Sequence, residues 1–357
     1  MADVAPVSGR VGKEATDYEE LARFAQRMIA ERPVVVLGTG ATMPYGLPSM
    51  DTLAIHLTTT IKGDPPGWKA FVECLAKTKN LELALHEVTL PQETVELIVS
   101  ATWELVSSHD ISLYEKLLAG FDKFPLADLF KHLLRTADSR LHVVTTNYDR
   151  LAEYAANYVG AYVSTGVTSG WLQRFVPSAV DEERAPKNGH EGHVTLLKVH
   201  GSLDWFRDEK ANILGIPLAR YIPATLKPLI VTPGVSKYRE VHKDPFRTVM
   251  ASADKVLRSA TCYVCIGYGF NDEHVQPILV QRVTKNDIPL VVVTKELSAM
   301  AKTAFLAKPP KKFLFLEECA SGTTVYNDKH PGGVCVGGVA AWTLDGFMKL
   351  ITGEKVG

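Results

Sequence analysis

Two residues in this chain have both the type and the setting for chemistry. Asn147 lies in "TTNYD" (145–149), directly after the strand-like Leu141–Val144, and His200 ends "VTLLKVHG" with Gly201 behind it. An imidazole titrates near ~6.5 and can therefore take up a proton at neutral pH. A carboxamide can hold a hydroxyl or a water in line, although an Asn in a turn also serves as a plain backbone cap. Asp149, two residues on, suits fixing that turn or capping the helix that follows. The chain has 11 histidines, and only His200 ends a strand in this way; a structural histidine is the alternative reading.

Two glycine turns could hold a phosphate or a ribose. "GTGAT" (38–42) follows the apolar Val34–Leu37, and Gly38 and Gly40 allow a sharp turn and close approach of a phosphate. The fingerprint G-x-G-x-x-G would place its third glycine at position 43, where this chain has Met43. A strict Rossmann loop is thus excluded, and a tight turn without ligand remains the alternative. "GYGFND" (267–272) follows the strand-like "CYVCI", with Asn271 and Asp272 placed either to meet a ligand or to cap the next helix. His190 and His193 in "GHEGH" read as solvated loop residues. Cys262 and Cys265 form a C-x-x-C inside a strand, where an odd offset sends the side chains to opposite faces; no metal is expected.

These motifs need strands to carry them. Helical spacing is expected from Asp17 to Ala30 after a disordered lead over 1–14, again from Asp51 to Ile61, and almost throughout Pro65 to Asp138. Strands Val34–Leu37, Leu141–Thr145, "HVTLLKVHG", "CYVCIGYGF" and "IPLVVVTKE" alternate with helices, which implies a doubly wound parallel α/β core whose ligands bind beyond the strand carboxyl ends. The glycine-rich tail after Lys308 reads as hairpins or loop. We expect one domain over 1–357: an α/β core from 15–62 and 139–305, a helical lobe inserted at 63–138, and an extension at 306–357. A formal net charge of -1 without basic runs gives no broad grip on nucleic acid or membrane. Five scattered cysteines and a start without a signal-like apolar segment point to a soluble, cytoplasmic protein without a disulfide framework.

Taken together and in this order, "GTGAT", "TTNYD", "KVHGSLDW" and "GYGFND" resemble the Sir2-like fold, and specifically the bacterial Sir2-like NAD hydrolases, over roughly residues 20–300. The resemblance implies a Rossmann-like doubly wound parallel sheet with NAD as substrate and Asn147 and His200 as catalytic residues. It places the NAD phosphates at Gly38, Thr39, Gly40 and Thr42, with "YGLPSM" as a flexible cover, and adds Thr146 and Asp149 to the binding residues. Gly267, Tyr268, Gly269, Asn271 and Thr294 fall on the adenosine side, although many sirtuins carry a hydroxyl residue where Gly269 stands. It further implies an antiphage role, a homo-oligomer, and a HerA-like ATPase partner, with a short Argonaute as second candidate. The rivals are a lysine deacylase, disfavoured because the two cysteine pairs of the sirtuin zinc module are missing between His200 and Gly267, and a non-catalytic module binding NAD or ADP-ribose.

Overall fold

The computed structural model of the chain describes residues 10–30, 32–136, 138–181, 189–232 and 242–354. In chain order its principal elements are α1 (Arg10–Met28), β1 (Val34–Leu37), α2 (Met50–Thr60), α3 (Trp68–Thr78), α4 (Leu81–Glu87), α5 (Gln92–Ala119), α6 (Pro125–Leu133), β2 (Arg140–Thr145), α7 (Leu151–Tyr158), β3 (Ala161–Ser164) and β4 (Gln173–Arg174). There follow β5 (Gly192–Lys198), β6 (Gly201–Asp208), β7 (Ile213–Gly215), β8 (Leu226–Ile230), α8 (Phe246–Ser259), β9 (Tyr263–Ile266), α9 (Val275–Asn286), β10 (Leu290–Val293), β11 (Phe313–Cys319), β12 (Gly322–Tyr326), β13 (Val334–Gly337) and α10 (Leu344–Thr352). The chain divides into two units, Met1–Val36 with Leu257–Gly357, and Leu37–Val256. Among the described residues no helix is long and apolar enough to cross a membrane.

In the first unit β9, β10 and β11 run parallel, with Val264 opposite Val291 and Val291 opposite Leu314. The Val34 N–H at the head of β1 donates to Cys262 O at 2.9 Å. β9 and β10 are buried at every position, the pattern of parallel strands covered on both faces. Their crossover is α9, since two parallel strands cannot be joined by a short turn. The tail forms hairpins: β11, β12 and β13 are antiparallel, and α10 closes the chain with the Thr343 side chain accepting from the Gly346 N–H. Two expectations are corrected here. The lead is helical from Arg10 onward, because the helix of the apolar stripe extends back through residues that tolerate it; residues 1–9 lie outside those described. Cys319 and Cys335 are joined as a disulfide, the hairpin bringing their Cα atoms to 6.5 Å, within bridging reach.

In the second unit β2 and β3 both lie parallel to β5, with Val143 opposite Leu196 and Val163 opposite Val194. The parallel strands and crossover helices make this a Rossmann-like α/β fold. The stretch from 68 to 133 is helical, and Leu53, Leu57, Phe71, Ala84 and Ile98 pack into one core there. α5 does more than join that core. Its buried residues occupy more than one face of the helix, and Trp103 and Val106 pack with Leu203, Phe206 and Ile230 beneath a small antiparallel sheet, β4-β7-β6-β8. The Trp103 indole N–H donates to Leu203 O at 2.9 Å. His193, expected to be solvated, is instead buried within β5 with its ring against Tyr162, while His190 is exposed. It is buried because β5 begins at Gly192 and so takes in the second histidine of the "GHEGH" loop.

Candidate active site

The loop after β1 departs from the expected sharp turn at Gly38. Gly38 is extended (φ -112°, ψ -178°), a conformation open to any residue. The chain turns through two short 3-10 segments, Thr39–Ala41 and Met43–Tyr45, and the left-handed residue that requires glycine is Gly46 (φ 89°). Thr39 and Gly40 are exposed, whereas Thr42 is buried with its hydroxyl donating to Thr39 O at 3.0 Å. Tyr45 packs edge-on against Phe124 at 5.6 Å, and His109 Nδ1 donates to Gly46 O at 2.9 Å.

The turn after β2 is stitched to this loop. Leu37 O accepts from the Thr145 hydroxyl at 3.0 Å and from the Thr146 N–H at 3.4 Å. The Thr145 hydroxyl in turn accepts from the Asn147 N–H at 3.0 Å, and Asn147 Nδ2 donates to Gly38 O at 3.0 Å. Asn147 is only 6% exposed, and its Oδ1 is buried without a hydrogen-bond partner among the described residues. A buried acceptor left unsatisfied costs free energy, and here the side-chain rotamer is fixed by the Nδ2 bond.

His200 is buried between β5 and β6, and its carbonyl accepts from the Val231 N–H at 2.8 Å. The residue behind it must be glycine. Gly201 has φ +91°, and a Cβ there would stand 2.1 Å from Leu229 O. This close pairing of β6 with β8 sets the position at which β5 releases His200.

Beneath the Asn147 turn lies a buried ionic cluster that the sequence reading missed. Asp110 of α5 is fully buried and accepts from the Arg150 N–H (2.7 Å), Arg150 Nη1 (2.5 Å) and the Tyr154 hydroxyl (2.6 Å). Arg150 Nε donates to Asp204 at 2.6 Å. Burial alone would push Arg150 down, but Asp204 and Asp110 hold it above the usual arginine range. Lys198, fully buried two residues before His200, donates to Glu153 at 2.7 Å and to the Asp149 carbonyl at 2.5 Å. The Asp149 carboxylate accepts from the Leu151 N–H at 3.1 Å, and burial raises its pKa to about 7 against the lowering field of Lys198. Burial likewise raises Glu153. The available signal was a lysine inside the apolar run "TLLKV" and an aspartate in the middle of α5, each a charge that burial would force to find a partner.

The remaining predicted residues belong to the first unit. Gly267 is left-handed (φ 54°) and its N–H donates to Val293 O at 2.9 Å. Tyr268 is buried with its ring 4.9 Å from Phe270. Gly269 and Asn271 are exposed, and Gly269 O accepts from the Ser298 hydroxyl at 2.5 Å. Asp272 caps α9 by accepting from the His274 and Val275 N–H groups. The Thr294 hydroxyl is engaged with Glu296 O at 3.0 Å.

The fold defines a parallel α/β protein with its polar residues at strand ends. Residues 141–310 match the family model described as the SIR2-like domain. The matched span contains "TTNYD", "KVHGSLDW" and "GYGFND" but begins after the "GTGAT" loop. Among solved structures, one described under the mechanism and regulation of Sir2 enzymes is 15% identical, with 82% of this chain and 90% of that chain covered and a TM-score of 0.42. A Sir2 homolog–NAD complex is 13% identical, with 79% and 84% covered and a TM-score of 0.40. The comparison with curated proteins returned no match.

Proposed function

We propose that this protein hydrolyses NAD at the bond between nicotinamide and ribose, with the chemistry in the second unit. The observation that carries the proposal is Asn147, whose amide is locked to Gly38 O while its buried Oδ1 has no hydrogen-bond partner among the described residues. In that place Oδ1 would orient the attacking water or a ribose hydroxyl, and His200 would take the proton released. The departing nicotinamide already carries the positive charge in NAD, so bond cleavage develops oxocarbenium character without an acid to protonate the leaving group. A site without paired carboxylates suits that reaction. The exposed Thr39 and Gly40 would meet the phosphates, with Thr146 beside them as a further binding residue. The antiphage role, the HerA-like ATPase partner and assembly into a homo-oligomer rest on the resemblance of the four turns and not on the site. Mass spectrometry of NAD incubated with the protein, with and without an acetyl-lysine peptide, tests the reaction class. ADP-ribose formed without peptide supports hydrolysis, and O-acetyl-ADP-ribose formed only with peptide would replace it by deacylation.

A further inference from the structure

In the chain His200 stands between two residues that grip the exit of the Asn147 turn. The Leu203 N–H donates to the Tyr148 carbonyl at 3.1 Å, and the Lys198 ammonium donates to the Asp149 carbonyl at 2.5 Å. The entry of the turn is held by the strand ladder, where Thr145 lies opposite Lys198 and the Val199 N–H donates to Thr145 O at 3.0 Å. Of these three grips only that of Lys198 is made by a side chain. That side chain is fully buried, and its ammonium also donates to Glu153 Oε1 at 2.7 Å. One cation thus joins the segment that delivers His200 to the turn that carries Asn147.

Stability does not account for a charge in this place. Taking an ammonium out of water is costly, and exchanging a buried ion pair for apolar residues of similar volume is often neutral or stabilising. Lys198 lies in the run "TLLKV", where a leucine or methionine would continue the apolar pattern. What an apolar side chain cannot supply is a donor aimed at the backbone of the neighbouring turn. Glu153 is the counter-charge that keeps the ammonium there. We propose that Lys198 is a positioning residue, which clamps the Asn147 turn to the segment bearing His200 so that both side chains address one reacting oxygen. The inference rests on the hydrolysis reading above, in which Asn147 orients that oxygen and His200 takes its proton. A misplacement of about 1 Å in such an arrangement costs on the order of a hundredfold in rate.

The test is Lys198→Met/Glu153→Gln in the full-length protein, a pair of changes that removes the clamp, keeps the net charge and strands no buried carboxylate. Lys198→Gln, shorter and uncharged but still a donor, takes its place if the pair fails to fold. Amide hydrogen exchange reads the turn, and nicotinamide release across NAD concentrations reads the chemistry, with urea midpoints as the measure of folding. Exchange of the Asn147 N–H, which is bonded to the Thr145 hydroxyl, is expected to speed up at least about tenfold while the amides of β5 keep their protection. The kcat is expected to fall about ten- to a hundredfold, with KM within about threefold of wild type. A lysine that served stability alone would lower the urea midpoint and leave kcat per folded molecule unchanged. That result, or unchanged exchange at Asn147, would overturn the proposal. Failure of the hydrolysis reading shows differently, as wild-type protein that itself releases no nicotinamide, and the exchange measurement then decides the clamp without it.

Discussion

Replacing Asp110 by alanine tests whether the buried cluster stabilises the fold beneath the Asn147 turn. In the intact protein this carboxylate, fully buried, accepts three hydrogen bonds, two from Arg150 and one from Tyr154. Its removal strands the Arg150 N–H and the Tyr154 hydroxyl and leaves a buried guanidinium with Asp204 as its one remaining ion-pair partner among the described residues. Breaking one side of a buried ion pair costs about 3–5 kcal/mol, and a single charged hydrogen bond about 1.5–3 kcal/mol, so the expected loss is about 4 kcal/mol. For a unit of roughly 200 residues each kcal/mol lowers Tm by about 2–4 °C, which gives a drop of about 8–16 °C. Urea denaturation followed by circular dichroism measures it, with thermal unfolding as the second readout. Asp110→Asn, which keeps an acceptor but not the charge, should fall between wild type and alanine. A loss under about 1 kcal/mol for Asp110→Ala would refute the reasoning, because the charge of Arg150 would then be satisfied some other way.

Two further outcomes are expected. Asp149 titrates near 7 in the folded protein against 3.8 for an ordinary aspartate, so between those values the folded state holds a proton that the unfolded state has lost. Stability should therefore fall as pH rises from about 4 to about 7, and Asp149→Asn should flatten that slope in denaturation curves taken across the window. Gly201→Ala should destabilise by at least about 2 kcal/mol, since it combines a left-handed backbone with a Cβ 2.1 Å from Leu229 O; unchanged urea midpoints would show that β6 and β8 can part without cost.

The parallel strands Val34–Leu37 and Leu290–Val293 were legible because they are apolar at every position and sit between two covered faces, and Leu141–Thr145 was legible from Leu141, Val143 and Val144 despite His142. The helices from 68 to 133 were legible from spacing. What spacing does not report is partnership. α5 reads as one more helix in an inserted lobe, yet it also underlies the small sheet through Trp103, a contact across a separation of a hundred residues. That sheet escaped notice since β4 and β7 are two and three residues long and lie among Pro, Gly and charged positions. Asn147 and His200 could be picked out by their place at strand ends. The lock between Asn147 Nδ2 and Gly38 O could not, because it depends on how two loops distant in sequence come together. Glycine was read too simply at Gly38, where the loop needs no special backbone, and missed at Gly46 and Gly201, where it does.

The most direct measurement is the rate of nicotinamide release from NAD by the purified protein, alone and with a HerA-like ATPase, for wild type, Asn147→Ala and His200→Ala matched for folding. The account expects release by wild type in at least one of these settings and a fall of about two to four powers of ten in either variant. Release that persists at the wild-type rate in both variants, or its absence from the wild-type protein in both settings, would contradict it.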